Sequence, residues 1–230
     1  MLFDLRSRRR RTTVRIVYVL LAFIMLAGLV LVGVGTGNNN GGLLNAFTNN
    51  GTGNGGNQVN NQAVKAALRK AQKDPSAKTW FSLMEAYYSD AESGSNYNST
   101  TGTFSKAGKV QLRNALVAWD KYLKAGSLKS TLEDAAVLAA KTNQSLSQWK
   151  DASVAWQYMI QSQDGAASAV KGYECVALNL YASGYTSSGD LASAKALTLL
   201  PKIDKVTWKS DAKAAKGSKT TAAEYVQSLC

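Results

Sequence analysis

The chain has 230 residues, with 27 Lys or Arg, 15 Asp or Glu, a net charge of +12, two Cys and no His. Without His there is no Ser-His or Cys-His catalytic pair and no His-held metal, and two Cys alone do not make a zinc or iron–sulfur site. No cofactor is expected, and only carboxylate-based chemistry stays open to an enzyme.

The charge is uneven from the start. Residues 1–15 hold Arg6, Arg8, Arg9, Arg10, Arg11 and Arg15 against Asp4, and the next charged residue is Lys65. Ile16 to Val34 is free of charge, Asn, Gln, Ser, Thr and Pro. A helix over that stretch would run roughly 28 Å, close to the ~30 Å hydrocarbon core of a bilayer. Backbone groups in lipid must be satisfied internally, so helix is the expected form. Arginines on the N-terminal flank keep that flank cytoplasmic. The alternative is a cleaved signal peptide, which has a shorter apolar run and a small-residue cleavage site. Here the run ends in Gly33-Val34-Gly35-Thr36-Gly37 without a clean site. The sequence therefore predicts a cytoplasmic tail over 1–15 and a transmembrane signal anchor over 16–35. The rest of the chain would lie outside the cytoplasmic membrane.

Residues 35–58 contain eight Gly and eight Asn. Such a segment buries too little apolar surface to offset its ordering entropy. A flexible linker is predicted over 36–60, with a reach of about 25–30 Å. The island Leu43-Leu44-Asn45-Ala46-Phe47 is its one apolar interruption.

From residue 61 to 230 the apolar periodicity is helical, and an all-α domain is predicted. Ala63, Ala66 and Ala67 open a short helix that stops at Asp74-Pro75, where proline cannot continue a helix interior. Trp80, Leu83, Met84 and Tyr87 fall on one face of a helix from Ser76 to Ala91. Residues 93–105 are rich in Gly, Ser, Asn and Thr and read as a loop. A helix follows from Lys106 to Ala125, with Gly126 as its stop. Thr131 and Asp134 give a weak capping pattern for the next. Then come 148–161 and 167–183. Ser188-Gly189-Asp190 separates these from 191–200, and Pro201 ends that helix. Segments near 205–216 and 220–229 complete the series.

Paired, these helices resemble tetratricopeptide repeats. Trp80-x2-Leu83-Met84-x2-Tyr87 matches the first-helix pattern W-x2-L-G-x2-Y. Leu178-x2-Tyr181-Ala182-x2-Tyr185 and Ala136-x2-Ala139-Ala140-x2-Asn143 are looser copies. Ala115-x3-Trp119 and Ala152-x3-Trp156 resemble the second-helix pattern A-x3-F. Both sit in an A-x-V-A-W run, 37 residues apart. Small residues let the helices of a hairpin approach, and aromatics fill the space between hairpins. The chain departs from the pattern in lacking the closing Pro and in carrying Met84, Ala140 or Ala182 at the Gly position. The architecture of short tail, single span and outer helical repeats is similar to that of YfgM-like ancillary subunits of the bacterial Sec translocon.

The repeat resemblance implies a concave face lined by the first helix of each hairpin. In this register that face holds Lys78, Phe81, Glu85 and Tyr88, then Asp134, Val137, Lys141 and Gln144, then Val176, Asn179 and Ser183. Lysines and Asn179 there would hold a peptide carboxylate through charge-assisted bonds; the alternative for Lys78 and Lys141 is a solvated face. Trp80, Trp119 and Trp156 occupy packing positions, which leaves Trp149 and Trp208 as the exposed candidates. Lys195, Lys202, Lys205, Lys209, Lys213, Lys216 and Lys219 make the C-terminal region basic. Cys175 and Cys230 would lie in an oxidising compartment, where either a disulfide or a buried Cys175 with a frayed tail is consistent with the sequence.

The expected function is non-enzymatic: a membrane-anchored adaptor that binds proteins or extended peptides outside the cytoplasmic membrane, in export or folding. The alternative is a scaffold for cell-wall or divisome enzymes. Neither requires nucleic acid, and the scattered acids offer no close carboxylate pair for a hydrolase.

Overall fold

The computed structural model describes residues 55–162 and 166–230, with side chains from Asn60 to Ser162 and from Ser168 onward. The predicted cytoplasmic tail, the membrane segment and the apolar island at 43–47 lie outside the described residues. No helix among the described residues is long and apolar enough to cross a membrane.

The described residues form nine α-helices: α1 (Gly55–Lys73), α2 (Ala77–Ala91), α3 (Lys106–Lys124), α4 (Lys129–Ser145), α5 (Trp149–Ser162), α6 (Ala166–Ser183), α7 (Thr186–Leu199), α8 (Lys202–Gly217) and α9 (Lys219–Leu229). Residues 57–230 constitute one unit. Its main contacts pair α2 with α3, α4 with α5 and α6 with α7, and α5 packs on α6. This is a stack of three helical hairpins. The last two helices form a fourth pair, in which α9 turns back onto α6 and α8 onto α6 and α7.

Alanine makes the close pairing possible. Ala115, Ala118, Ala135, Ala136, Ala139, Ala140, Ala152 and Ala155 are all buried. Among them stand Trp80, Trp119, Trp156 and Tyr122, also buried. Small side chains bring axes together, and the large rings interdigitate across the seams. The Trp119 ring stacks on Tyr122 at 5.5 Å between centroids and meets Tyr158 edge-on at 5.6 Å.

Several boundaries differ from the sequence expectation. α1 begins at Gly55, inside the range expected to be linker, because Gly and Asn are poor helix formers and mark no start. α4 starts at Lys129 behind Leu128, with no side-chain cap. Thr131 instead shares a hydrogen bond with the Tyr122 hydroxyl at 3.1 Å. α7 starts at Thr186 and runs through Ser188-Gly189-Asp190, which was expected to separate helices. Gly189 is there for close approach: a Cβ at that position would lie 2.5 Å from the Tyr181 ring of α6. Gly126 ends the α3 segment as expected, at φ +80°, a conformation that costs glycine little.

The 93–105 loop has more order than its composition implied. A 3-10 turn at Gly94–Asn96 leads into an antiparallel pair, Tyr97–Asn98 with Thr103–Phe104. Asn98 Oδ1 accepts from the backbone N–H of Thr100 and Thr101, and the Tyr97 and Phe104 rings lie 4.7 Å apart. The turn closes over Asp90, whose carbonyl accepts from Asn96 Nδ2 at 2.8 Å.

Candidate peptide-binding face

The first helices of the hairpins are α2, α4 and α6. α2 touches α4, and two side-chain relations trace the face across the helices. Partial desolvation by its neighbours lifts the Glu85 carboxyl above its usual range even though the residue keeps an exposed surface, and the charge of Asp134 on α4 adds to the shift. Further along, Gln144 Nε2 of α4 donates to Asn179 Oδ1 of α6 at 3.5 Å.

On α2, Lys78 and Glu85 are exposed and Phe81 is half-buried. The Phe81 ring lies 6.1 Å from Tyr122 and packs against the core while staying partly exposed. Tyr88 is half-buried and placed toward the end of α2. Its phenol is pushed well above the ordinary range by burial first, then by Glu92. On α4, Asp134 and Lys141 are exposed, while Val137 and Gln144 are half-buried. The α2 and α4 positions thus share a face carrying both signs of charge around Phe81 and Val137.

The α6 part of the expected face is corrected by the structure. Asn179 is 0 % exposed and Val176 is also buried. Asn179 Nδ2 donates to the Cys175 carbonyl at 2.8 Å while its oxygen accepts from Gln144. Asn179 is therefore a buried link between α4 and α6. The physical reason is the fourth helix pair: α8 and α9 fold onto α6, whose other flanks are taken by α5 and α7.

That closure has several fastenings. Cys175 of α6 and Cys230 after α9 are joined in a disulfide, with 5.7 Å between Cα atoms. The Lys171 ammonium donates to the Leu229 carbonyl. Tyr181 Oη donates to Asp190 Oδ1 at 3.0 Å, and Lys216 Nζ reaches Asp190 Oδ2 at 2.6 Å, which ties α6, α7 and α8 together. Burial first, and then Asp190, pushes the Tyr181 phenol up to about 12. The Lys216 hydrogen bond holds the Asp190 carboxyl below its usual range. Tyr225 Oη of α9 donates to Asp211 Oδ1 of α8 at 3.2 Å.

The tryptophans expected at the surface are placed otherwise. Trp208 is 3 % exposed, and its Nε1 donates to the Ser193 carbonyl of α7 at 3.4 Å. Its flanking lysines hid a core position, because an apolar stripe of Trp208, Ala212 and Ala215 is too sparse to stand out. Trp149 is half-buried against the core. The C-terminal lysines do form an outer surface on α8, where Lys202, Lys209 and Lys213 are exposed, but Lys216 is engaged with Asp190. Beside them Ile203 is 81 % and Val206 73 % exposed.

Among the described residues no group of His, Cys, Asp and Glu is arranged to hold a metal. No family model, curated protein or solved structure matches the chain.

Proposed function

We propose that this protein is a non-enzymatic, single-pass membrane adaptor of tetratricopeptide-like build. Its outer domain holds an extended peptide segment against α2 and α4, at the outer face of the cytoplasmic membrane, during protein export or folding. The observation that carries this reading is the shared α2–α4 face with Lys78, Phe81, Glu85 and Lys141 on it. Lysines recognise a peptide carboxylate, Glu85 and Asp134 recognise a basic side chain, and Phe81 supplies apolar contact. The anchor at 16–35 and the linker at 36–60 keep this face near a translocation channel, raising its effective concentration there.

The test is peptide binding by the full chain in nanodiscs, measured by fluorescence anisotropy with an unfolded secretory-protein fragment. The triple variant Lys78→Ala, Tyr88→Ala, Lys141→Ala should lose binding while keeping its melting temperature. Unchanged affinity would remove the α2–α4 assignment. Crosslinked pull-down from solubilised membranes should then recover channel subunits or exported chaperones.

The outer side of α8 favours a second reading, a scaffold for wall-synthesis enzymes that touches anionic polymer. Exposed Lys202, Lys209 and Lys213 flank Ile203 and Val206. That reading requires sedimentation with purified anionic wall polymer at low salt and release at high salt.

A further inference from the structure

The second helices of the hairpins, α3 and α5, enclose a groove of about 400 Å³. We infer that this groove is a second docking site, one that takes an arginine- or lysine-bearing extended segment of a partner protein. Asp120 of α3 and Asp151 of α5 line it, both exposed, and no lysine or arginine does. Neither carboxylate is engaged in a hydrogen bond or ion pair among the described residues. In a chain of net charge +12, a groove lined by acids alone among its charged groups marks complementarity to a cation.

The rest of the lining suits a basic side chain. Half-buried Tyr158 meets the buried Trp119 ring edge-to-face at 5.6 Å, and it is the Tyr158 ring that offers surface to a guanidinium or ammonium. Val154 is 45 % exposed and gives the aliphatic stem an apolar contact. Asn143 sits at the α4 end, nearly buried, with Nδ2 held by the Ala139 carbonyl, so its oxygen is the acceptor left to a ligand. Helical spacing places Asp151, Val154 and Tyr158 on one face of α5. The site is distinct from the α2–α4 face and does not depend on it.

The probe is a fluorescein-labelled decapeptide with three arginines spaced by Gly and Ser, compared with the same peptide carrying citrulline. Both are titrated into the full chain in nanodiscs. The arginine peptide should bind, and citrulline should weaken it by about tenfold or more, since each charge-assisted bond lost is worth that order. Asp120→Asn and Asp151→Asn should each weaken binding by about tenfold without lowering the melting temperature. Val154→Lys should block it by placing a rival ammonium in the groove. The Glu85→Gln, Asp134→Asn double variant, which removes the acids of the α2–α4 face, should leave this affinity unchanged. Equal affinity for both peptides, or insensitivity to both Asp120→Asn and Asp151→Asn, would overturn the proposal. So would loss of arginine-peptide binding in the Glu85→Gln, Asp134→Asn variant. A concentration-dependent dimer that disappears with Asp120→Asn, with no peptide binding, would replace the partner segment by a second copy of the chain.

Discussion

Opening the Cys175–Cys230 bond should release the fourth helix pair and, with it, the covering of α6. The perturbation is Cys230→Ser, which leaves the buried Cys175 in place. The bond closes a loop with a sequence separation of 55. In the chain-entropy model a loop of that size stabilises the folded state by about 4 kcal/mol. For a domain of this length that corresponds to a loss of roughly 8–16 °C in melting temperature. It is an upper figure, because Ala222 and Val226 keep α9 buried on its neighbours without the bond. Two assays read it together. Thermal unfolding of the full chain in detergent gives the global loss. Hydrogen exchange gives the local one, with α9 losing protection first and the amides of Val176 and Asn179 following. A variant that melts within a degree of the parent, with α9 still protected, would refute the reasoning. The packing of α9 would then be sufficient and the crosslink energetically idle.

Three further outcomes follow from single positions. Gly189→Ala places a methyl 2.5 Å from the Tyr181 ring, which is buried and hydrogen-bonded, so stability should fall by about 1–3 kcal/mol in urea unfolding. Asp90 is 1 % exposed with Oδ1 unpartnered, and burial raises its carboxyl above the ordinary value, opposed by a hydrogen bond from Gln111. Its folded form binds its proton more tightly than the unfolded chain, so its contribution falls as pH rises from the unfolded value of 3.8 to the raised folded one, and stays low above it. Asp90→Asn should therefore gain stability at pH 7.5, by roughly 1 kcal/mol, and gain little near pH 3.5, as compared by urea midpoints at the two pH values. Ser147 holds φ +58° in the turn between α4 and α5. Ser147→Gly should relieve about 1 kcal/mol of that cost and raise the melting temperature by about 2–4 °C.

The helices were legible where large apolar residues recur at helical spacing. Trp80, Leu83 and Met84 placed α2, and Trp119 with Tyr122 placed α3, because each buries a conspicuous side chain. Where alanine does the packing the pattern faded. The start of α7 lies earlier than the sequence places it because Ser188-Gly189-Asp190 reads as a separator, although Gly189 sits inside the helix and faces the Tyr181 ring. Trp208 was misplaced for the complementary reason: its stripe of alanines carries no signal among seven lysines. The pairing of Cys175 with Cys230 was one of two consistent outcomes from sequence, since spacing along the chain says nothing of distance in space. The burial of Asn179 was not legible either. It depends on α8 and α9 returning to α6, a tertiary contact with no local marker. The α3–α5 groove left only its two carboxylates in the sequence, and they lie 31 residues apart.

The fourth helix pair decides how the stack ends. A stack of helical hairpins leaves an apolar face at its terminus and needs a cap with a polar outer side. Here α8 and α9 turn Trp208, Ala212, Ala215, Ala222 and Val226 inward and most of their lysines outward. Because the cap folds onto α6 and is fastened by the disulfide, it also takes the third row out of the face. On the proposed reading, what remains is α2 and α4, enough for a short segment rather than a long one. Few contacts give weak intrinsic affinity. A weak site is useful only if its ligand is supplied locally, and the predicted anchor and linker would provide that by confining the face near the membrane. The proposed α3–α5 groove fits the same logic. A second weak site of different chemistry on the same domain would raise the affinity for a partner that presents both a carboxylate-bearing and an arginine-bearing segment, provided its chain spans the two.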